Sequence, residues 1–283
     1  MMIRKALNMA RRKLSESGVE NPGLDAELLL AHVLSMDRLG VLVNDEVELS
    51  GEEEACFEKL LALRCSHMPV AYLTGHKEFF GLDISVGPGV LIPRPETELA
   101  VEEALRAVKN FKNPRVVDLC SGSGAIAVSV AVNHPDAIVF ASDISEMAEK
   151  YTKENALKHH VENRVFFIRG DLWQPFEERK MEPFDLIISN PPYIPVDEMD
   201  NLPEDVKKEP EIALNGGVNG LEYYEKIISK AHQFLKTGGN VVLEIGWNQA
   251  GFVQDLLKAK GFKEIKVLKD YGGFDRVVCA ARV

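Results

Sequence analysis

The chain has only four cysteines, Cys56, Cys65, Cys120 and Cys279, and no two of them form a CxxC pair. Free thiols are therefore expected, with no metal site and no disulfide framework. Long apolar runs are missing as well. No stretch approaches the ~20 uninterrupted apolar residues of a membrane helix, and the basic segment MMIRKALNMARRKLSESG lacks the apolar core of a signal peptide. A cytoplasmic location with no membrane partner is the expectation. Positive charge is in deficit, with 33 Lys and Arg against 44 Asp and Glu and a formal net charge of −11. Nucleic-acid affinity rests largely on Lys and Arg, so no direct nucleic-acid partner is expected, although a local basic patch is compatible with the balance. What is present is ordinary for a globular protein. Hydrophobic residues make up 46% of 283, enough for a sizeable core, and the length favours two unequal domains.

The pattern changes character along the chain. DAELLLAHVLS (25–35) and SGEEEACFEKLLALRCSHM (50–68) place apolar residues at helical spacing, with Asp25 and Ser50 as N-cap candidates. KEFFGLDISVGPGVLI, broken by Gly81, Gly87 and Gly89, reads as a hairpin linker. The division is a helical region at 1–75, a β-hairpin linker at 76–94 and an α/β domain at 95–283. In the last, seven short apolar runs are predicted strands: 115–119, 138–142, 165–168, 184–189, 240–245, 264–268 and 275–281. Apolar strands separated by helical stretches imply a mostly parallel sheet covered on both faces. Only KDYGGF lies between the last two, too short for a crossover helix, so they should pair as an antiparallel edge hairpin.

The first of these strands ends in DLCSGSGAIAVSVA. Gly122 and Gly124 let the backbone pass close to a ligand, and the helix opening at Ala125 can face negative charge. Ala127 stands where a third glycine of GxGxxG would fall, so the turn alone could be purely structural. Asp143, at the end of the second strand, can accept hydrogen bonds from both ribose hydroxyls of an adenosine-containing ligand; a helix cap in this region is the simpler alternative. Asp171 and Leu172 follow the third strand. Three consecutive strand ends thus meet where ligands bind in open α/β sheets.

The fourth strand ends in NPPY, Asn190 to Tyr193. Asn190 offers a carbonyl oxygen, Pro191 stiffens the turn so that its C=O can face a ligand, and Tyr193 supplies a flat surface. Two fixed acceptors suit a planar NH2 group. Holding both hydrogens directs the nitrogen lone pair, which makes this a site for a nitrogen nucleophile. The segment 195–220, rich in charge, proline and glycine, is long for a connection and is expected to wall that site. RPETELAVEE (94–103) could support the site through Arg94 and Glu98, or could simply start a helix at Pro95.

These stretches together, LIPRPETE, DLCSGSGAIA, NPPYIP, EPEIALNGGVNGLEYY, LEIGWNQ and DYGGFDRVV, resemble the release-factor glutamine methyltransferases, called PrmC or HemK, over nearly the whole chain. NPPY by itself is shared with DNA amino-methyltransferases and some ribosomal RNA enzymes; its combination with Arg94–Glu98 and the glycine-rich segment is more specific. Ser121 and Ser123 stand where many relatives carry threonine. The resemblance implies a Rossmann-like class I methyltransferase sheet with a small helical amino-terminal domain that helps dock the substrate protein. It implies S-adenosylmethionine as cofactor and protein-(glutamine-N5) methyltransferase activity on the glutamine of the GGQ motif in peptide-chain release factors. By the same resemblance Ser121, Gly122, Ser123, Gly124 and Ala125 border the methionine part of the donor, Asp143 its ribose, and Asp171 and Leu172 its adenine. Asn190, also beside the donor, binds the acceptor amide with Pro191, Pro192 and Tyr193. The main alternative is a nucleic-acid adenine or cytosine amino-methyltransferase, which the net charge of −11 disfavours. A nicotinamide-dependent dehydrogenase would account for the glycine turn and Asp143 but not for NPPY, and a noncatalytic nucleoside-binding scaffold would need no NPPY either.

Overall fold

A computed structural model describes all 283 residues, Met1–Val283. The chain divides into two compact units. The first comprises Met1–His76 with Pro203–Lys208, the second Lys77–Leu202 with Glu209–Val283.

The first unit is helical: α1 (Ile3–Glu16), α2 (Pro22–Leu34), α3 (Arg38–Val43), α4 (Gly51–Cys65) and α5 (Val70–Thr74). In α1 the buried residues Ile3, Ala6, Leu7, Ala10 and Leu14 fall at helical spacing and so share one stripe. With Leu29, Leu30, Phe57 and Leu61 they form a continuous core, in which each large side chain contributes about 1.5–3 kcal/mol. Ser50 caps α4 through a complete capping box with Glu53. Asp25, expected as a cap, is not one: α2 starts at Pro22 after Asn21, and Asp25 lies inside it, accepting from Arg64 Nε at 2.7 Å. A buried arginine needs a counter-charge, and that long-range demand overrides the local capping preference.

From its first residue, Lys77, the second unit runs through a two-stranded hairpin whose strands are β1 (His76–Phe79) and β2 (Leu82–Ser85). After a 3₁₀ turn at Pro95–Thr97 come α6 (Glu98–Val108), β3 (Arg115–Leu119), α7 (Ala125–Asn133), β4 (Ile138–Asp143), α8 (Glu146–Lys158), β5 (Val165–Arg169), α9 (Gln174–Glu178), β6 (Phe184–Ser189), α10 (Glu222–Phe234), β7 (Leu235–Glu244), α11 (Ala250–Ala259), β8 (Lys263–Lys269) and β9 (Asp275–Ala281). The large sheet has the order β5-β4-β3-β6-β7-β9-β8. Pairing is parallel from β5 through β7 and antiparallel in β7–β9 and β8–β9, which is the expected parallel sheet with an edge hairpin. β7 starts earlier than its apolar run because the polar stretch after Leu235 is absorbed by a register irregularity opposite Phe184–Leu186.

Position in the layers explains composition. All of α7 from Ala125 to Ala131 is buried, as a helix apolar on every side but for Ser129 requires. On one side of the sheet Trp173 stacks on Phe234, with centroids 4.6 Å apart, and its Nε1 donates to the Ile227 carbonyl at 3.0 Å. β3 pairs with β4 on one side and β6 on the other, so the winding reverses at the carboxyl ends of β3 and β6. That is where a crevice is expected.

Candidate active site

At that reversal a crevice is lined by Gly89–Leu91, Cys120, Gly122, Ser142–Ser145, Ala148, Gly170–Leu172, Asn190, Pro192, Pro210, Ile212, Ala213, Tyr223 and Lys226. On one wall the glycine turn meets Asp143. The Gly122 N–H donates to Asp143 Oδ2 at 3.0 Å and the Ser145 N–H to Oδ1 at 2.9 Å. Burial pushes the Asp143 carboxyl up, while the N–H groups of Ser145, Gly122 and Ile144 favour the anion. Each oxygen keeps a further lone-pair direction for a ligand hydroxyl. Gly124 has φ +77, and a Cβ there would meet Thr152 Oγ1 at 2.7 Å, so glycine is required on two counts. Behind the turn, buried Asn155 donates to the Ser85 and Ser123 carbonyls, both at 2.9 Å, and accepts from the Ser85 N–H at 2.7 Å. The hairpin is thereby clamped to the turn. Asp118, at the end of β3, is wholly buried, which pushes its carboxyl well up.

On the other wall Asn190 follows β6. Its Nδ2 donates to Thr97 Oγ1 at 3.2 Å, which occupies the nitrogen end and leaves Oδ1 as the free acceptor. Tyr193 is held from several directions. Gln249 Nε2 donates to the Tyr193 carbonyl at 2.9 Å, while Gln249 Oε1 accepts from Tyr224 Oη at 3.0 Å and the Gly246 N–H at 2.9 Å. Tyr193 Oη lies 3.5 Å from Glu244 Oε1. Burial, then the Glu244 charge, pushes the Tyr193 phenol up. The glycines of the long segment are there for packing. A Cβ on Gly216 would come 2.7 Å from Tyr193 Cα, and one on Gly220, at φ +69, would strike the Tyr193 carbonyl.

Of the residues singled out in the sequence, Gly122, Asp143, Asp171, Leu172, Asn190 and Pro192 line the crevice together. Ser121, Ser123, Gly124, Ala125 and Pro191 are buried beside it, and Tyr193 is half-buried. Arg94 and Glu98 make framework contacts. Arg94 pairs with Glu209 at 2.5 Å, whose other oxygen accepts the Ile92 N–H at 2.9 Å, and Glu98 accepts the Phe80 N–H at 2.9 Å. Pro210, Ile212 and Ala213 bring the long segment to the crevice. Sequence reasoning missed Thr97, Glu244 and Gln249. The readable signal was Glu244, a carboxylate set directly after the apolar run Val241–Leu243 and before Ile245.

A reversed-winding parallel sheet with an antiparallel edge hairpin, and a crevice at its switch point lined by a glycine turn, Asp143 and Asn190, is the architecture of a Rossmann-like class I methyltransferase domain. The comparisons agree. Residues 5–75 match the family model described as PrmC N-terminal domain, and residues 98–204 match the methyltransferase small domain. The chain is 38% identical to the release factor glutamine methyltransferase of Clostridium botulinum over 283 residues, 100% of each chain. It is 41% identical to that of Moorella thermoacetica, over 100% of this chain and 99% of the other. The chain belongs to the release factor glutamine methyltransferase family. Solved structures support the fold: a methyltransferase from Pyrococcus furiosus has a TM-score of 0.51 at 19% identity, covering 73% of this chain and 91% of that one. The hMettl16 catalytic domain has a TM-score of 0.60 at 15% identity, covering 79% and 82%.

Proposed function

We propose that this enzyme transfers the methyl group of S-adenosylmethionine to the side-chain amide nitrogen of the glutamine in the GGQ motif of peptide-chain release factors. The observation that carries the reading is Asn190. With Nδ2 spent on Thr97, its oxygen is left to accept from an NH2 group, in the same crevice as Asp143 and Asp171. Relatives 38% and 41% identical over the full chain carry the corresponding name.

The crevice suits the donor, because the Asp143 oxygens retain acceptor capacity and no atom lies within 4 Å of a Cβ built on Gly122, so the turn is open on that side. When bound, S-adenosylmethionine supplies a methyl group already activated by its sulfonium. Asp143 holds the ribose hydroxyls, Asp171 and Leu172 border the adenine, and residues Ser121 to Ala125 border the methionine portion. Catalysis then rests on positioning. An amide nitrogen is a weak nucleophile while its lone pair is conjugated, and acceptors at Asn190 Oδ1 and the Pro191 carbonyl hold its hydrogens and favour the charge that develops on it. Pro192 and Tyr193 flank the acceptor. The helical region 1–75 contributes to docking the factor, and the four free thiols suit the reducing cytoplasm.

The test is transfer of labelled methyl from the donor to an intact release factor in the presence of nuclease. Label should enter the factor and vanish when its GGQ glutamine is replaced by alanine. Label entering DNA or RNA instead, with none in the factor, would overturn the proposal and favour a nucleic-acid amino-methyltransferase.

A further inference from the structure

Trp247 and Phe274 are 63% and 55% exposed, although large paired aromatic rings are ordinarily buried. Their centroids lie 6.4 Å apart with the ring planes at 73°, an edge-to-face pair, and Tyr271, in the same turn as Phe274, is fully exposed. Methyl transfer at the crevice uses none of the three. The segments that carry them are nevertheless held in place. Asp270 Oδ1 accepts the N–H groups of Gly272 and Phe274 at 2.9 and 3.0 Å. Arg276 pairs with Asp270 at 3.1 Å and donates to the Ile245 carbonyl at 3.3 Å, while the Ile245 N–H donates to the Arg276 carbonyl at 2.8 Å. The turn between β8 and β9 is thus fastened to the segment after β7 that carries Trp247.

That segment belongs to the acceptor wall. Ser189 of β6 pairs with Leu243 of β7, and Glu244 of β7 with Val277 of β9, so NPPY, Trp247 and the β8–β9 turn all emerge at one end of the sheet. Gln249, two residues after Trp247, donates to the Tyr193 carbonyl at 2.9 Å. A glutamine side chain is short. Seated with its amide at Asn190, it leaves its own backbone and the residues beside it on the rim next to NPPY.

We infer that Trp247 and Phe274 form a docking platform on this rim for the polypeptide backbone that flanks the acceptor glutamine. This rests on the amide-methylation reading. Glycines beside that glutamine offer no side chain, so their segment can be gripped only through peptide planes and Cα–H groups. Aromatic faces suit both, because they pack flat on a peptide plane and accept an N–H over the ring, with little side-chain entropy to lose. Size points the same way. Two rings offer at most about 300–500 Å², short of the roughly 1,200–2,000 Å² that a stable complex of two folded copies buries. The platform is scaled to a loop of the substrate protein.

The experiment measures kcat and KM of the intact enzyme toward a full-length release factor at saturating donor, with donor Kd by calorimetry. Trp247→Ala and Phe274→Ala should each raise KM about tenfold, with kcat and donor Kd within about twofold of wild type. Trp247→Phe, which keeps a ring, should hold KM within about threefold of wild type. Because the rings act as one surface, the double alanine variant should fall short of the product of the two single effects. Unchanged KM in both alanine variants overturns the inference and leaves the function standing. A fall in kcat at constant KM does the same, since the rings would then only support Tyr193. So does a wild-type dimer, seen by sedimentation, that both alanine variants abolish at unchanged KM, since a second copy would then cover the rings. A wild-type enzyme that transfers no methyl to glutamine overturns the functional reading, and this inference with it.

Discussion

On the donor side of the crevice Gly122, Asp143 and Asp171 lie at the carboxyl ends of three neighbouring strands, β3, β4 and β5, and support one another through backbone. Gly122 donates to the Asp143 side chain, and the Gly170 N–H donates to the Asp143 carbonyl at 3.0 Å. The acceptor side is assembled from afar. Asn190 depends on Thr97, 93 residues earlier. Tyr193 depends on Gln249, 56 residues later, and on Gly216 and Gly220 in between. A donor common to many methyltransferases can be held by a local frame of strand ends. An acceptor amide must be oriented atom by atom, and that takes side chains fixed by tertiary contacts. The two walls should therefore fail differently when broken.

The largest effect is expected on the acceptor wall. Asn190→Ala should lower turnover about 10²–10³-fold, the loss of one preorganised polar contact, with donor affinity nearly intact. Equal losses in kcat and donor Kd would erase the distinction between the walls. Asp143→Ala is the mirror case. Losing charge-assisted hydrogen bonds worth ~1.5–3 kcal/mol should weaken donor binding about 10–100-fold by calorimetry. Unchanged affinity would remove Asp143 from the site.

Smaller effects sharpen the comparison. Gly220→Ala combines a positive φ with a collision at the Tyr193 carbonyl. Strain of ~1–3 kcal/mol there should cut kcat about tenfold and leave donor Kd unchanged. The smallest effect concerns stability. The Glu244 carboxyl rises from 4.5 to about 7 on folding, so its neutral form is the one the fold prefers. That contribution is complete below about pH 4.5, declines as pH rises, and is gone above about 7. Chemical denaturation should show Glu244→Gln gaining on wild type by about 1 kcal/mol per pH unit across that window. A constant difference between the two would mean that Glu244 is ionised throughout.

The same contrast explains what the amino-acid sequence made legible. A glycine turn after one strand and a carboxylate at the end of the next are local patterns with a fixed geometric meaning, so their meeting in one crevice could be read directly, as could the apolar strands and the edge hairpin. NPPY marked a strand end that the structure brings to the same crevice. The supports were silent, because Thr97 and Gln249 are chemically ordinary and gain meaning only when folding sets them against Asn190 and Tyr193. Asp25 teaches the same lesson outside the crevice: its local context suggested a cap, and a buried arginine 39 residues away claimed it.

The central claim is that this crevice methylates a glutamine amide in a protein. Tandem mass spectrometry of an intact release factor, after incubation with the enzyme and S-adenosylmethionine, tests it most directly. The account predicts one added methyl on the side-chain nitrogen of the GGQ glutamine, absent when Asn190→Ala enzyme is used for the same time. An unmodified glutamine, or a methyl on any other residue or on copurifying nucleic acid, would contradict it.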